Sequence, residues 1–190
     1  MLFVEREKLT QHLLKIGDII SAYQRHDPAF VDRVVAWLNA VEQDLQQFRN
    51  PLASFLASER GKIVAVKDGY RDQQISGEKL SNRKAMSASA SLALSRSEEA
   101  LRTEIHDIDS KFDVCREKMS QLLAVSSSKN PIPFPPGDPR IDWLRQVWAN
   151  LGKVEEAKAM YNYINAIMQS SDKYHLLDEL IGNMTSELLH

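Results

Sequence analysis

The chain has 190 residues, of which 43% are hydrophobic and 26% are charged, and this ordinary globular composition argues against disorder over most of its length. Its 24 basic and 26 acidic residues give a formal net charge of −2, so no overall positive field draws the chain to nucleic acid or to an anionic membrane. The single cysteine excludes an internal disulfide and a multi-cysteine zinc site, no apolar run approaches the ~20 residues needed to span a bilayer, and the expected location is the cytoplasm.

The first predicted helix is amphipathic and lies near the start of the chain. Its apolar residues recur at alternating spacings of four and three, and they are Leu9, Leu13, Ile16, Ile20 and Tyr23. We expect this helix to end before Arg25. An aspartate followed by Pro28 is a common helix start, because the carboxylate caps free backbone N–H groups and proline is tolerated in the first turn.

The second predicted helix has an apolar pattern that runs from Val31 to Phe55 without a slip in register. Asn50 and Pro51 interrupt it in sequence, since proline removes an intrahelical hydrogen bond and disfavours helical geometry in the preceding residue. The unbroken register favours a kink or a very tight restart at this point.

Residues 51 to 125 are predicted to form either one long, weakly held helix from Pro51 to Val125 or two helices. Gly61, Gly69 and Gly77 each cost about 1 kcal/mol in a helix interior. Serines and Asn82 supply turn and capping residues between Ser76 and Asn82, so we favour a break there.

The same region contains a basic segment, residues 60–84, in which seven basic residues face three acidic ones. A local positive excess of this kind can contact phosphates without sequence preference, although it can equally fold against the acid-rich stretch that follows it and bind nothing. The candidate phosphate-binding residues are Lys62, Lys67, Arg71, Arg83 and Lys84.

The most regular apolar pattern in the chain lies between Leu94 and Leu122. It follows a heptad, which is typical of a coiled coil, with only Glu98 polar among the core positions. The d positions are Leu94, Leu101, Ile108, Cys115 and Leu122, and the apolar a positions are Ile105, Phe112 and Met119. Cys115 is therefore expected to be a small core residue.

The charges beside this heptad pattern disfavour a parallel homodimer. In such a dimer Glu104 would meet Asp109, and Lys111 would meet Arg116, so both pairs would repel. We therefore expect an antiparallel pairing within the chain, with the apolar pattern of residues 31–55 as the partner.

The sequence carries no motif that predicts an enzyme or a cofactor. His106, Asp109 and Asp113 share one helical face and could in principle hold a divalent cation. That face lies opposite the apolar one, where charged residues are normally solvated surface, so we predict no metal site, no cofactor and no catalytic residue.

Residues 126–140 form the clearest predicted linker, with five prolines between Pro131 and Pro139. Proline at this density precludes a helix and favours a stiff extended spacer. A Pro-x-x-Pro match at Pro133–Pro136 is a weak indication of a docking motif, and a spacer with Phe134 packed on a helix is the preferred interpretation.

The last part of the chain, residues 141–190, is predicted to be a helical hairpin. One helix runs from Ile141 to Met168, and Ser171 with Asp172 caps a final helix. Four residues widen the apolar stripe of the first of these helices and are candidates for binding a partner, namely Trp143, Trp148, Tyr163 and Ile167.

Together these patterns predict an all-α fold: an elongated antiparallel helical bundle, or intramolecular coiled coil, over residues 1–125, with a C-terminal helical hairpin attached through the linker. The function we expect is that of a non-enzymatic scaffold or adaptor subunit that binds other protein subunits by helix packing. The alternative is a nucleic-acid-associated accessory protein that uses the basic segment. Neither interpretation involves a membrane or a cofactor.

Overall fold

A computed structural model of the protein describes residues 1–70, 81–129 and 140–187. These residues are 88% helical and contain no strand, so the predicted all-α helical bundle is confirmed. The described part of the chain has no helix that is both long and apolar enough to cross a membrane. The helices are α1 (Leu2–Leu14), α2 (Ile16–Gln24), α3 (Phe30–Gln47), α4 (Leu52–Lys67), α5 (Asn82–Lys129), α6 (Arg140–Leu151), α7 (Lys158–Ile167) and α8 (Ser170–Glu187), with a 3-10 turn at Glu155–Ala157.

The chain forms two compact units. The N-terminal unit is Val4–His106, and the C-terminal unit combines Met1–Phe3 with the described residues from Asp107 onward. Helix α5 contributes its first half to one unit and its second half to the other. Residues 126–129 of the predicted linker belong to α5, and residues 130–139 lie outside the described residues, so the predicted division at 126–140 stays a prediction.

The predicted first helix is divided at Lys15 into α1 and α2. The division lies where the carbonyl oxygen of His12 accepts a hydrogen bond from the Trp37 indole N–H at 3.0 Å and another from the Lys15 N–H at 3.2 Å. A carbonyl taken by these donors does not serve the regular bond to the fourth residue along. The packing of Trp37, which the local pattern does not reveal, therefore interrupts the helix.

The start signal at Asp27 is confirmed. One carboxylate oxygen of Asp27 accepts the Ala29 N–H at 2.9 Å, its carbonyl accepts the Phe30 N–H at 3.1 Å, and α3 begins at Phe30.

The pattern from Val31 to Phe55 does not belong to one kinked helix, and that interpretation is wrong. Helix α3 ends at Gln47, Arg49 adopts a left-handed backbone with φ +57, and α4 starts at Leu52, so the tight restart is correct. The Asn50 side chain accepts the Leu52 N–H at 2.9 Å, which supplies the cap. Helices α3 and α4 then pack against each other, because a left-handed residue followed by Pro51 reverses the chain.

The single long helix from Pro51 to Val125 is also wrong, while residues 76–80 of the favoured break lie outside the described residues. Helix α4 ends at Lys67, earlier than expected, and Gly69 follows with φ +95, a conformation that favours glycine. Helix α5 begins at Asn82, where the Ser81 hydroxyl accepts the Lys84 N–H at 3.4 Å. Residues 71–80 lie outside the described residues.

Within the N-terminal unit α5 runs antiparallel to α4. The Glu59 carboxylate lies 3.9 Å from the Arg96 guanidinium, and the Asn50 amide donates to Glu104 at 2.9 Å. The earlier of the two residues, Asn50, thus contacts the later residue of α5, as expected for helices that run in opposite directions. These polar contacts are made with α4 and the turn before it, and the predicted coiled-coil pairing with residues 31–55 stays a prediction. All five d positions of the heptad pattern are buried.

In the C-terminal unit the predicted helix from Ile141 to Met168 is interrupted after Leu151, at a glycine that a side chain from further along the chain contacts closely. A Cβ on Gly152 would lie 2.7 Å from Cζ of Tyr161, so the aromatic ring packs directly on the glycine backbone. The chain turns there, and α7 follows as a separate helix. Helix α6 packs against α8, and α7 lies between them in sequence, so the two consecutive helices of the predicted hairpin are replaced by three.

Asp172 has a different role from the one its position suggests. It was expected to cap its own helix, but its buried carboxylate accepts the N–H groups of Leu2 at 2.9 Å and Phe3 at 3.2 Å. These are free N–H groups at the start of α1, where a negative charge also meets the positive end of the helix dipole. Asp172 therefore ties the first residues of the chain to the C-terminal unit.

Candidate interaction surface

Helix α7 has apolar residues on the side that faces away from the protein. At 100° per residue, five of its side chains fall within an arc of about 120°. All five are exposed or half-buried, with Tyr163 40% and Ile167 41% exposed. We call this set the α7 surface, and its members are Ala159, Met160, Tyr163, Ala166 and Ile167.

The opposite side of α7 holds it against its own unit. Ile164 is fully buried, and the Tyr161 ring stacks on the Trp148 indole with 4.7 Å between the ring centroids and an interplanar angle of 23°. The Trp148 N–H donates to Asn165 Oδ1 at 3.3 Å. An aromatic stack and a hydrogen bond anchor α7 on this side. The residues of the α7 surface, on the other side of the helix, therefore face solvent.

The four candidate partner residues occupy two different environments. Trp143 and Trp148 are buried, with 7% and 4% of their surface exposed, whereas Tyr163 and Ile167 belong to the α7 surface. Trp148 packs against the buried side of α7 through its stack on Tyr161. The buried Trp143 N–H has no hydrogen-bond partner in the described residues. The stripe that the sequence suggested is thus divided, because the break after Leu151 places α6 and α7 on separate axes.

A lysine from α5 borders the α7 surface. Lys118 Nζ lies 4.8 Å from the centroid of the Tyr163 ring, which is within the range of a cation–π interaction. Among the described residues Lys118 has no carboxylate within ion-pair distance, whereas Lys158 on α7 is paired with Glu155 at 2.8 Å. The edge of the surface next to Tyr163 is therefore positive.

An open cleft of about 760 Å³ begins at Ile167 and continues along the start of α8. Lys173 lines this cleft although only 9% of the residue is exposed. Its ammonium donates to Asn165 Oδ1 at 2.5 Å and lies 5.4 Å from the centroid of the Trp148 ring. Burial lowers the pKa of Lys173, since desolvation disfavours the charged form. The sequence does not single out Lys173, because a lysine next to an aspartate at a helix start is an ordinary surface pattern.

The basic segment is partly neutralised inside the N-terminal unit. Arg60 binds Glu42 at 2.9 Å and Lys62 binds Glu59, so neither cation is free for phosphate. Lys67, Arg83 and Lys84 are exposed, and no ion pair is found for them in the described part of the chain. The antiparallel course of α4 and α5 places these three at the same end of the helix pair, and Arg71 lies outside the described residues.

The candidate metal ligands are separate surface residues. His106 and Asp113 are exposed and Asp109 is half-buried, and Asp113 is paired with Arg116 at 2.9 Å. Within residues 1–70, 81–129 and 140–187, no group of three His, Cys, Asp or Glu side chains lies close enough to hold a metal ion. Cys115 is buried as expected, and burial raises the pKa of its thiol while the nearby Lys118 charge lowers it by less.

Comparison with known proteins gives no family for the chain: no family model matches it, and neither a curated protein nor a solved structure matches it. The surfaces themselves are therefore the only indication of function in the described residues. Of these, the α7 surface gathers several exposed apolar side chains on one side of a helix and adjoins an open cleft.

Proposed function

We propose that the protein is a non-enzymatic helical scaffold or adaptor subunit of a larger cytoplasmic assembly, and that it binds another protein through the α7 surface. The observation that carries this proposal is the orientation of α7. Its outward side bears Met160, Tyr163 and Ile167 with small alanines beside them, where a solvated helix normally bears polar residues.

The α7 surface has the composition of a binding site for a helix. Its residues recur at spacings of three and four over two turns, which is the pattern of anchors in helix packing. Tyr163 supplies an aromatic anchor that loses little conformational entropy on binding. Ala159 and Ala166 flank it and let a partner backbone approach closely. Burying such apolar surface contributes about 25 cal/mol per Å² before the costs of association.

The proposal is tested by site-specific photocrosslinking in the native host. A benzophenone amino acid replaces Ile167 in one variant and Ile20 in the other, since both isoleucines are 41% exposed but only Ile167 lies on the α7 surface. We expect a crosslinked product of discrete mass from position 167 and none from position 20. Identical products from both positions, or none from position 167, would contradict the proposal.

A second substitution distinguishes specific binding at the α7 surface from non-specific hydrophobic association. In the benzophenone-167 protein, Tyr163→Glu should reduce the crosslinked product by about tenfold or more, because it places a charge where the partner must be desolvated. Tyr23→Glu is the matched control, because Tyr23 is 46% exposed and lies in the N-terminal unit. Equal loss from both substitutions would contradict a specific surface.

The alternative function is nucleic-acid association through Lys67, Arg83 and Lys84, and their common placement at one end of the helix pair favours it. Reversing all three to glutamate should abolish retention on DNA and RNA at low salt, since such binding is electrostatic and falls steeply with salt. The matched control reverses three exposed basic residues of the same unit, Lys8, Lys15 and Arg25. Equal retention of both triple variants, or no retention of the parent protein, would dispose of the alternative.

A further inference from the structure

The buried ammonium of Lys173 has partners that do not neutralise its charge. Asn165 Oδ1 accepts one hydrogen bond from it at 2.5 Å, and the Trp148 ring attracts it at 5.4 Å, but both groups are uncharged. No carboxylate of the described residues lies within ion-pair distance of Lys173 Nζ. An ammonium has three donors to satisfy, and the two uncharged groups that contact Lys173 Nζ leave its charge without an opposite one. The Lys173 ammonium can therefore donate hydrogen bonds to an anionic acceptor, which the described part of the chain does not provide.

The acidic residue next to it in sequence does not fill this role. The Asp172 carboxylate is 2% exposed and accepts the N–H groups of Leu2 and Phe3, with the Met1 ammonium 3.3 Å away. Its charge is thus engaged with the start of α1. This arrangement keeps the adjacent cleft accessible to another anion.

The cleft that Lys173 lines is open and joins the α7 surface through Ile167. Ser170 and Ser171 also line it, and they belong to the first turn of α8, where backbone N–H groups have no intrahelical acceptor. An acid that enters the cleft therefore meets an ammonium and the positive end of a helix on one side, and an apolar side chain on the other.

We propose that this cleft receives an aspartate or glutamate side chain of the partner protein, and that the apolar residues beside that acid cover Ile167 and Tyr163. The inference rests on the proposed function and specifies its partner as a segment in which a carboxylate adjoins apolar residues. The Lys118 ammonium at the other edge of the α7 surface adds to the preference for an acidic segment. Because the two groups that contact Lys173 Nζ are uncharged, a carboxylate is preferred over an amide there, since a charge-assisted hydrogen bond exceeds a neutral one.

Two dipeptides that differ only in charge test the recognition directly. N-acetyl-Leu-Glu-amide and N-acetyl-Leu-Gln-amide are titrated into protein labelled with 13C at lysine Cε, and the Lys173 signal is assigned by its loss in Lys173→Met. We expect the glutamate probe to shift the Lys173 signal saturably and the glutamine probe to bind about tenfold or more weakly. The bound carboxylate should also raise the pKa of Lys173 back towards the ordinary value, because it stabilises the charged form.

Matched variants keep the test specific. Lys158→Met removes an exposed lysine of α7 and should leave the affinity for the glutamate probe unchanged, whereas Lys173→Met should abolish the difference between the probes. Equal binding of the two probes to the wild-type protein would overturn the inference. Sodium acetate that shifts the Lys173 signal at the same concentration as the dipeptide would overturn it too, because the apolar contact would then contribute nothing.

The crosslinking experiment distinguishes failure of this inference from failure of the proposed function. Introduced into the benzophenone-167 protein, Lys173→Met should reduce the crosslinked product by about tenfold. An undiminished product would overturn the role of Lys173 and leave the α7 surface in place. Probe binding that depends on Lys173, together with no product from position 167 in the parent protein, would keep the carboxylate site and overturn the protein partner.

Discussion

The two units treat their buried charges differently. In the N-terminal unit each buried charge or histidine that we describe has a polar partner: Glu42 binds Arg60, Glu59 binds Lys62 with Arg96 nearby, and His12 Nε2 lies 2.7 Å from Asp44. In the C-terminal unit Asp172 is similarly engaged, but Lys173 has only an amide and an aromatic ring. The first unit thus pairs its buried carboxylates with cations, while the second contains a largely buried lysine without a counter-charge in the described residues and an exposed apolar face on α7.

This contrast has a measurable form in the free energy of unfolding. Removing one member of a buried ion pair leaves the other charge desolvated and unpaired, which is costly. Removing a buried lysine that has no carboxylate takes away one hydrogen bond and, with it, the cost of burying the charge. Substitutions in the two units should therefore change the free energy of unfolding by different amounts. The change at Lys173 should in addition depend on pH.

The largest effect is expected for Arg60→Met. The substitution removes the two hydrogen bonds that the Arg60 guanidinium donates to Glu42, at 3.0 and 2.9 Å. Glu42, which is only 8% exposed, then keeps Gln46 as its one hydrogen-bond donor among the described residues. We expect the free energy of unfolding to fall by about 2 kcal/mol, measured by urea denaturation, with faster amide hydrogen exchange in α3 and α4.

Arg33→Met provides the control for that substitution. Arg33 pairs with Asp27 at 3.2 Å, but the arginine side chain is 51% exposed, so its loss should cost less than about 1 kcal/mol. If the two arginine variants were equally stable, the ion pair between Glu42 and Arg60 would not be a buried stabilising contact.

A smaller effect is expected for Gly152→Ala, which probes the junction that orients α7. The added Cβ would lie 2.7 Å from Cζ of Tyr161 and 3.0 Å from both Cε1 and the hydroxyl oxygen, so the ring must shift from its present stack on Trp148. We expect a loss of about 1 kcal/mol and a change in the near-ultraviolet circular dichroism of the tryptophan.

Gly182→Ala in α8 is the matched control, because nothing lies within 4 Å of its added Cβ. It should stabilise the protein by up to about 1 kcal/mol, as alanine does in a helix interior. A neutral Gly152→Ala with unchanged circular dichroism would show that Tyr161 does not hold α7 in its orientation.

Much of the helical content was predictable because it depends on local chemistry. The spacing of apolar residues located the helices, Asp27 located the start of α3, and Ser81 located the start of α5. The errors arose where a distant side chain decides the backbone. The Trp37 indole takes the His12 carbonyl and divides the first helix, and the Tyr161 ring packs on Gly152 and divides another. Neither contact follows from spacing along the chain.

At the turn between α3 and α4 the sequence leaves a kink and a tight restart open for a related reason. The apolar register passes through Asn50 and Pro51 unchanged, so it fits one kinked helix as well as two helices that pack side by side. The left-handed backbone of Arg49, a residue type with no special preference for it, decides between them.

The candidate site was predictable in part. Apolar periodicity singled out Tyr163 and Ile167, but it could not separate them from Trp143 and Trp148, because the helix was not expected to break between the two groups. Lys173 carried no signal at all. A buried cation is recognised by the absence of a counter-charge in three dimensions, and sequence shows only that Asp172 precedes it.

The smallest and most selective effect is expected for Lys173→Met, through its dependence on pH. The pKa of Lys173 is lowered by burial in the native protein, while in the unfolded chain it returns to the ordinary 10.5. Between these two values the unfolded chain holds a proton that the native protein has released, so the stability of the wild-type protein rises with pH through this interval. Below the native pKa both states are protonated, the cost of burying the charge is fully present, and this contribution does not vary with pH.

At pH 7 the stability of the Lys173→Met variant should therefore lie within about 1 kcal/mol of that of the wild type, because losing the hydrogen bond to Asn165 is offset by losing the buried charge. As the pH is raised towards 10.5, the wild-type protein should gain stability relative to the variant. Urea denaturation of both proteins from pH 7 upward measures this difference, with Lys158→Met, at an exposed lysine, as the control that should show no such slope. A stability difference that stays constant over the whole range would mean that Lys173 is ordinarily solvated, and the contrast between the two units would then no longer hold at this residue.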